Sequence, residues 1–502
     1  MSMEPTSVII IGGGLGGLFT GAFLGKEGLK VTILEKSHTI GGGLQCFHRG
    51  GTIFETGMHI LGGFRKGHNL YRICSYLGIL NKLEIKDTDL HAMDSVTYGE
   101  DGRTYVLPSG KEAFTQYLKD MFPAERKNIQ AYMDALYAIA QEVDLFYLRP
   151  GGHGMPTHSE DFLMPADEFI AKYVSDRRLR DLLAYMSPMY GGVAGHTPAY
   201  IHAMINVLYI DGSSQFVDGS QQLADSLADL IKENGGEVRA GDGVEKVEVL
   251  DRKVTKVITH AGKVYTADWY VSDVHPCTLF QLTGEGAFPR HYMQRIQNIP
   301  NSYSAFTLFI KFKPGKQPYV NHPRYYQDHY GSVWQLGDFH EESFPAGFMY
   351  ITPPTRQQGP WATRMVVNCL MPFDAVRQWE NTRVGRRGKE YEEWKKRLET
   401  KLLDKLESLH PGFKESIKMC FSASPLTIRD YLGVKEGSLY GHLCDCKNLL
   451  ASQMPIATKV RNLLLTGQNV NLHGICGVPL TAIQTTEGIV GYGKILEKIN
   501  KH

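Results

Sequence analysis

The stretch from Val8 to Glu35 constrains the fold of this chain more than any other segment. It begins with a β-branched apolar run, residues 8–11, which predicts a parallel strand buried on both faces. The run ends in a G-x-G-x-x-G pattern whose glycines are Gly12, Gly14 and Gly17. A helix is expected to follow, and a second predicted strand, residues 31–34, ends in Glu35, 18 residues after the last of these glycines.

This spacing is typical of a dinucleotide-binding βαβ unit, and each residue type has a mechanical reason. Gly12 permits the tight turn, Gly14 lets the backbone approach a pyrophosphate, and Gly17 lets helix and strand pack closely. The helix N-terminus offers N–H groups and a positive dipole end to the pyrophosphate. Glu35 is placed to accept hydrogen bonds from both ribose hydroxyls. A glycine-rich turn without a ligand is disfavoured, because strand, helix and acid occur in the required order.

Length and composition narrow the class of protein. The chain has 502 residues, enough for two or three domains, and 42% of them are hydrophobic. A net charge of +1 gives no case for nucleic-acid binding. Eight cysteines and no basic leader predict reduced thiols in a cytoplasmic setting. Cys444 and Cys446 lack a second ligand pair at zinc spacing, so we expect two ordinary buried thiols and no metal site.

After the N-terminal unit, Tyr98 to Leu107 looks like a hairpin strand with a turn at Asp101 and Gly102, and from there to residue 210 the pattern becomes helical. Residues 129–143 place their apolar side chains on one face, and residues 169–186 suggest another helix with a basic side. That side could contact a membrane surface, but an ordinary lid helix with a solvated charged face is the favoured interpretation. Residues 198–210 are apolar and aromatic and include His202, so they could line an apolar pocket.

Alternating helix and strand patterns return at residue 218, and a last strand, residues 462–466, runs into glycines before a closing helix expected near Pro479. The predicted fold class is therefore α/β, α+β overall. It has a Rossmann-type nucleotide-binding domain built from discontinuous segments, a mixed β-sheet substrate domain and a helical lid. The expected bounds are 1–95, 211–290 and 430–502 for the nucleotide-binding domain, 96–210 for the lid, and 291–429 for the substrate domain.

Several motifs carry a family resemblance. The segments are IIIGGGLGGL with Glu35, HTIGGGLQCF, TIFETGMHILGG, VDGSQQLADSLADLIKENGGEV, YVSDVHPCTLF and LLLTGQNVNLHGICGVPLTAIQTTEGIVG. Together they resemble the flavin amine-oxidase and phytoene-desaturase superfamily, and within it the branch of retinol saturases and carotenoid isomerases. The resemblance covers nearly the whole chain. Many members have Arg after the paired glycines, where this chain has Gly43, which argues against the amine-oxidase branch.

The resemblance implies FAD as the cofactor. It places the fingerprint glycines at the pyrophosphate, Glu35 at the adenosine ribose and Val244 beside the adenine. The residues expected near the pyrophosphate and ribityl chain are Gly42, Gly43, Leu44, Gly467 and Gln468. Those expected near the isoalloxazine are Met58, His59, Gly477 and Val478. Leu15 and Lys36 complete the expected cofactor-binding set.

The implied function is an FAD-dependent oxidoreductase that acts on carbon–carbon double bonds of a long isoprenoid or polyene lipid. Such a substrate has no acidic C–H and no charged group. Positioning it against the flavin N5 should therefore matter more than strong acid–base groups. The candidate catalytic residues are His59, His202 and His473, with Tyr190 behind them. The expected partners are the hydrophobic substrate, a peripheral membrane contact and an electron donor that the sequence does not identify. The alternatives are a flavin amine oxidase and a non-enzymatic prenyl-binding escort protein.

Overall fold

The computed structural model describes residues 6–151, 157–357, 359–452 and 454–502. Residues 1–5 of the predicted nucleotide-binding domain and residues 152–156 of the predicted lid lie outside the described residues.

The strands of the described part, in chain order, are β1 Ser7–Ile11, β2 Lys30–Leu34, β3 Cys46–Arg49, β4 Thr52–Glu55, β5 Leu61–Gly62, β6 Ile85–Asp87, β7 Asp94–Tyr98, β8 Thr104–Leu107, β9 Ser213–Phe216, β10 Glu237–Arg239, β11 Val244–Leu250, β12 Lys253–Thr259, β13 Val264–Tyr265, β14 Trp269–Ser272, β15 Ser304–Phe312, β16 Arg324–Gln327, β17 Gly347–Ile351, β18 Arg364–Met371, β19 Ile417–Ala423 and β20 Leu463–Leu465. The helices are α1 Leu15–Lys26, α2 Asn69–Leu77, α3 Lys111–Met121, α4 Arg126–Gln141, α5 Ala166–Tyr173, α6 Arg177–Leu183, α7 Ala199–Ile210, α8 Gln221–Glu233, α9 Pro276–Thr283, α10 Arg290–Gln297, α11 Lys389–Leu409, α12 Phe413–Ser416, α13 Pro425–Leu432, α14 Leu449–Ser452, α15 Gly474–Val490 and α16 Lys494–Lys501.

The parallel sheet joins segments that are far apart in the chain. Its strand order is β10-β2-β1-β14-β20, and every neighbouring pair is parallel. The apolar run of β1 is buried, as its continuous β-branched pattern predicts. β14 and β20 come from the middle and the end of the chain, so a Rossmann-type sheet is assembled from discontinuous segments.

Helices from both termini cover this sheet. α1 packs against α15 on one side and α8 on the other. The hydroxyls of Thr20 and Thr466 lie 3.0 Å apart and tie α1 to the end of β20. The closing helix begins at Gly474, five residues before the expected start near Pro479, so Pro479 lies inside the helix. The first and last strand–glycine–helix units therefore lie side by side.

A mixed sheet forms the second layer, with strand order β19-β15-β18-β17-β16-β7-β8. Only the β16–β7 pair is parallel within these described strands; Arg324 lies opposite Ser95 in its register. The helix α11 packs its apolar stripe, which includes Trp394 and Leu402, into the core beneath this sheet. The hairpin expected at Tyr98–Leu107 is present as the antiparallel pair β7 and β8, and it extends this sheet, whereas the expected domain bounds placed residues 96–107 in the lid.

The lid is formed by α3 to α7. Residues 169–186, expected to be one helix, form α5 and α6, because Asp176 caps a new helix by accepting from the N–H groups of Arg178 and Leu179. The basic side chains here have protein partners: Lys172 lies 2.6 Å from Asp161, and Arg178 lies 3.4 Å from Asp176. These contacts favour a solvated charged face over a membrane-binding one. No helix among the described residues has the length and apolar character needed to cross a bilayer.

Candidate functional site

A cavity of about 550 Å³ runs from the parallel sheet to the lid and the mixed sheet. One end lies where β1, β2, β14 and β20 reach their carboxyl ends, which is where ligands bind in open α/β sheets. The other end lies between α7 and the mixed sheet. We call these the nucleotide end and the substrate end.

Nearly all of the residues expected to bind FAD line this cavity. They are Gly12, Gly14, Leu15, Glu35, Lys36, Gly42, Gly43, Leu44, Met58, His59, Val244, Gly467, Gln468, Gly477 and Val478. Gly17 does not line it. A Cβ on Gly17 would lie 2.3 Å from the carbonyl oxygen of Gly12, so this glycine allows α1 to approach β1, as its place in the fingerprint predicts.

The first and last glycine loops touch at the nucleotide end. A Cβ on Gly16 would lie 2.6 Å from the Cα of Gly467, so neither backbone leaves room for a side chain. Gly12 has a φ of +103° and Gly467 a φ of +93°, conformations that favour glycine. The loops thus form a backbone cradle of the shape that a pyrophosphate requires at a helix N-terminus.

Glu35 stands at the side of this cradle. Its Oε2 accepts a hydrogen bond from the N–H of Gly13 at 2.7 Å, and its Oε1 accepts from the N–H of Ser37 at 2.7 Å. Each carboxylate oxygen has a further lone pair for a ribose hydroxyl. Because Val244 and Lys36 line the cavity beside Glu35, this region fits an adenosine.

Asp273 belongs to the nucleotide end and was missed by the sequence analysis. It follows β14 directly, and its carboxyl accepts from the N–H groups of Gly17 and Gly14. Burial, with the charge of Glu35 adding to it, raises the pKa of Asp273 to about 7. The sequence did contain a signal for Asp273, because it directly follows a predicted strand, and residues just after parallel strands meet at one edge of the sheet.

His59 and His473 lie along the middle of the cavity, with Met58, Gly477 and Val478. His59 Nδ1 lies 3.5 Å from Glu55 Oε2 but makes no hydrogen bond. The Nε2 of His473 is buried and has no hydrogen-bond partner among the described residues. Burial lowers the pKa of His473 to about 4, so its imidazole is neutral at pH 7.

His202 is not a cavity residue, and the expectation that it reaches the cofactor or substrate finds no support. Its Nε2 lies 2.7 Å from the hydroxyl of Tyr132, and its Nδ1 lies 2.9 Å from the hydroxyl of Tyr190. Asn206 contacts the same imidazole. Burial lowers the pKa of His202 to about 3. A neutral, fully partnered imidazole holds α7 against α4 and therefore has a structural role.

The substrate end has uncharged walls. α7 contributes Ile201, Met204, Ile205, Leu208 and Tyr209, and the mixed sheet contributes Ala305, Thr307, Tyr325, Gln327, Gly347, Phe348, Met349, Asn368 and Leu370. Among the described lining residues, the Asp, Glu, Lys and Arg side chains are Glu35, Lys36 and Asp273, all at the nucleotide end. The segment 438–444, which includes Tyr440 and His442, also lines the cavity and has no sequence motif that would have revealed it.

The cysteine pair near the cavity behaves as ordinary thiols. Cys444 lies 3.6 Å from the hydroxyl of Tyr200, and burial raises its pKa to about 11. Cys444 and Cys446 are both unbonded thiols. Within the described ranges, no group of three or more His, Cys, Asp or Glu side chains could hold a metal ion.

Comparisons with known proteins agree with this geometry. A family model described as flavin containing amine oxidoreductase matches residues 15–454. The chain is 25% identical over 531 residues to an all-trans-retinol 13,14-reductase of Rattus norvegicus, covering 97% of this chain and 86% of the relative. It is 23% identical over 459 residues to a chloroplastic prolycopene isomerase of an Oncidium hybrid cultivar, covering 87% and 75%. The crystal structure of an oxidoreductase from Methanosarcina mazei matches with a TM-score of 0.65 at 16% identity, covering 96% and 100%, and confirms the fold.

Proposed function

The chain belongs to the flavin-containing amine oxidoreductase family, and from that premise we propose that it acts on a carbon–carbon double bond of a long isoprenoid or polyene lipid. The protein is an FAD-dependent oxidoreductase. The bound flavin supplies the acceptance or donation of a hydride equivalent. The residues of this chain then have three tasks: to hold the cofactor, to exclude water and to position the substrate.

One observation carries the proposal: the cofactor cradle and the uncharged substrate end are parts of a single continuous cavity. The substrate end is walled by α7 and the mixed sheet, so a long apolar molecule placed there would extend toward the residues expected around the flavin ring. An apolar, dry environment suits a substrate that offers no charge for recognition. The names of the relatives, a retinol reductase and a prolycopene isomerase, support the same substrate class.

The proton partner is proposed to be His473, with His59 as the second candidate. His473 lies at the start of α15, its ring 5.3 Å from that of Tyr440, and its Nε2 is available for a hydrogen bond. A neutral imidazole places no charge in the apolar site at rest, and it becomes an imidazolium cation only while it holds a proton accepted at this atom. His59 is proposed to approach the flavin ring, oriented by Glu55.

The test uses the purified protein loaded with FAD. The flavin is reduced without oxygen, all-trans-retinol or a carotenoid is added, and the polyene absorption is followed. A shortened chromophore means saturation, and an unchanged conjugation length with a shifted band means isomerisation. With oxidised flavin, a lengthened chromophore means desaturation. An unchanged spectrum under all of these conditions would contradict the proposal.

Two further measurements separate the alternatives. Stopped-flow mixing of the reduced enzyme with air distinguishes an amine oxidase, for which reoxidation within seconds and turnover of simple amines are expected. An escort protein would purify without flavin and would not take up added FAD. Slow reoxidation together with stable flavin binding is the result expected here.

A further inference from the structure

A row of side chains crosses the mixed sheet and faces the substrate end of the cavity. Thr307 on β15 lies opposite Asn368 on β18, which lies opposite Met349 on β17, which lies opposite Tyr325 on β16. All four line the cavity. Because residues opposite each other in a sheet share one face, these side chains form a continuous strip of the wall.

Within this strip, the amide of Asn368 has a fixed direction. The hydroxyl of Thr307 donates to Asn368 Oδ1 at 2.8 Å. The carbonyl side of the amide is therefore satisfied, and its Nδ2 is directed away from that bond. Asn368 is half-buried, and its Nδ2 has no acceptor among the described residues.

The neighbouring row repeats this arrangement. Gln327 on β16 is 1% exposed, and its Oε1 accepts from the hydroxyl of Ser332 at 3.0 Å. Gln327 and Tyr325 both line the cavity, and within the described part of the chain no hydrogen bond uses the Nε2 of Gln327 or the hydroxyl of Tyr325. Two amide N–H₂ groups and one phenol therefore line this wall beside the apolar side chains of α7.

Such groups favour a ligand that can accept hydrogen bonds, because an apolar ligand packed against them would cover the donors and leave them unsatisfied. The charges of this cavity lie at its nucleotide end, in Glu35, Lys36 and Asp273. A carboxylate or phosphate at the substrate end would find no counter-charge among the described lining residues, and burying it would be costly. A neutral oxygen atom is the chemistry that fits.

We propose that Asn368, held by Thr307, forms with Gln327 and Tyr325 a subsite for a neutral oxygen function, a hydroxyl or carbonyl, carried by the lipid substrate. This inference rests on the proposed function and narrows it: the preferred substrate is an oxygenated isoprenoid and not a pure hydrocarbon. Asn368 acts as a specificity residue, and Thr307 positions it.

The test compares two probes that differ in one atom. Protein loaded with FAD is titrated by equilibrium dialysis with all-trans-retinol and with the matched hydrocarbon, in which the terminal CH₂OH is CH₃. We expect the alcohol to bind about tenfold more tightly than the hydrocarbon, as one satisfied hydrogen bond predicts. In Asn368→Leu this preference should fall to about twofold or less. Thr97→Val, on β7 of the same sheet and outside the residues that line the cavity, is the control and should keep the preference of the wild type.

Flavin content and melting temperature report whether each variant folds. If Asn368→Leu does not fold, Thr307→Val serves instead and should reduce the preference about threefold, because the amide is no longer held. Equal binding of the two probes to the wild type would overturn the subsite and leave the proposed function standing, as would a preference that survives the available variant. Failure of the wild type to bind either probe would overturn both proposals.

Discussion

The two ends of the cavity recognise their ligands in different ways. At the nucleotide end, the cavity is lined largely by the glycine backbone of the two loops, and Glu35 lies at its side. At the substrate end, the contacts come from side chains of α7 and the mixed sheet. A backbone cradle depends on a short local motif, whereas a wall of side chains depends on which strands become neighbours.

The largest expected effect tests the backbone cradle. Gly17→Ala would place a Cβ 2.3 Å from the carbonyl oxygen of Gly12, so α1 must move away from β1. We expect loss of the visible flavin absorption and a drop of at least about 2 kcal/mol in the free energy of unfolding.

Gly25→Ala, in the same buried helix, is the matched control for that change. Its Cβ would meet the nearest side-chain atom, on Asn234, at an ordinary 3.4 Å. It should keep the flavin and change stability by no more than about 1 kcal/mol, in the stabilising direction. If both variants retain FAD, the cradle is not as tight as described.

The next largest effect compares two buried histidines. His473→Gln should lower turnover about a hundredfold while flavin content and melting temperature stay unchanged, because an unpartnered cavity group is lost. His202→Gln should instead lower the melting temperature, because the imidazole bonded to Tyr132 and Tyr190 is removed. Steady-state rates and thermal unfolding of both variants provide the check. A rate loss in the His202 variant at unchanged stability would reverse the two roles.

A smaller effect is expected at the ribose position. Glu35→Gln should weaken FAD binding about tenfold, because a charged acceptor becomes neutral while its shape is retained. Fluorescence titration of the apoprotein with FAD measures the change. Glu237→Gln on β10 is the control, since that exposed carboxylate pairs with the nearby Arg239 and does not line the cavity. Equal losses in the two variants would show that Glu35 has no specific role.

The smallest effect concerns a buried carboxyl behind the substrate end. Asp94 is 2% exposed, its Oδ2 accepts from the hydroxyl of Tyr185 at 2.6 Å, and burial raises its pKa to about 8. The pKa of Asp94 is therefore higher in the folded chain than in the unfolded chain, where it is near 3.9. Its contribution to stability is therefore fully present at acidic pH and is lost as the pH rises from about 4 to 8.

Asp94→Asn should remove this dependence. Between pH 5 and pH 6, the unfolding free energy of the wild type should fall about 1 kcal/mol more than that of the variant, because the unfolded carboxyl is ionised there while the folded one keeps its proton. Urea unfolding at the two pH values measures this, and Asp120→Asn, at an exposed lid position, serves as the control. Parallel curves for the wild type and Asp94→Asn would contradict a buried neutral carboxyl.

The sequence predicts the nucleotide end better than the substrate end, because only the nucleotide end is built on a short local motif. Gly12, Gly14 and Glu35 were predictable because turn, helix start and strand end lie within one short segment. The prediction for His202 could not be decided from the sequence. An apolar helix that contains a histidine has the same sequence pattern whether the imidazole faces a cavity or, as here, a neighbouring tyrosine. Asp273 was within reach, since it follows a recognised strand, but nothing local shows that its carboxyl meets the glycines of α1.

The sequence by itself determined the nucleotide-binding strand–glycine–helix units, the acid that follows β2 and the class of cofactor, because these depend on backbone geometry that a few residue types enforce. Only the tertiary structure decided that β7 and β8 complete the mixed sheet, that His473 and not His202 reaches the cavity, and that Thr307, Asn368 and Tyr325 share one wall. Those relations join strands and helices distant in the chain, and their register is set by packing that no local pattern records.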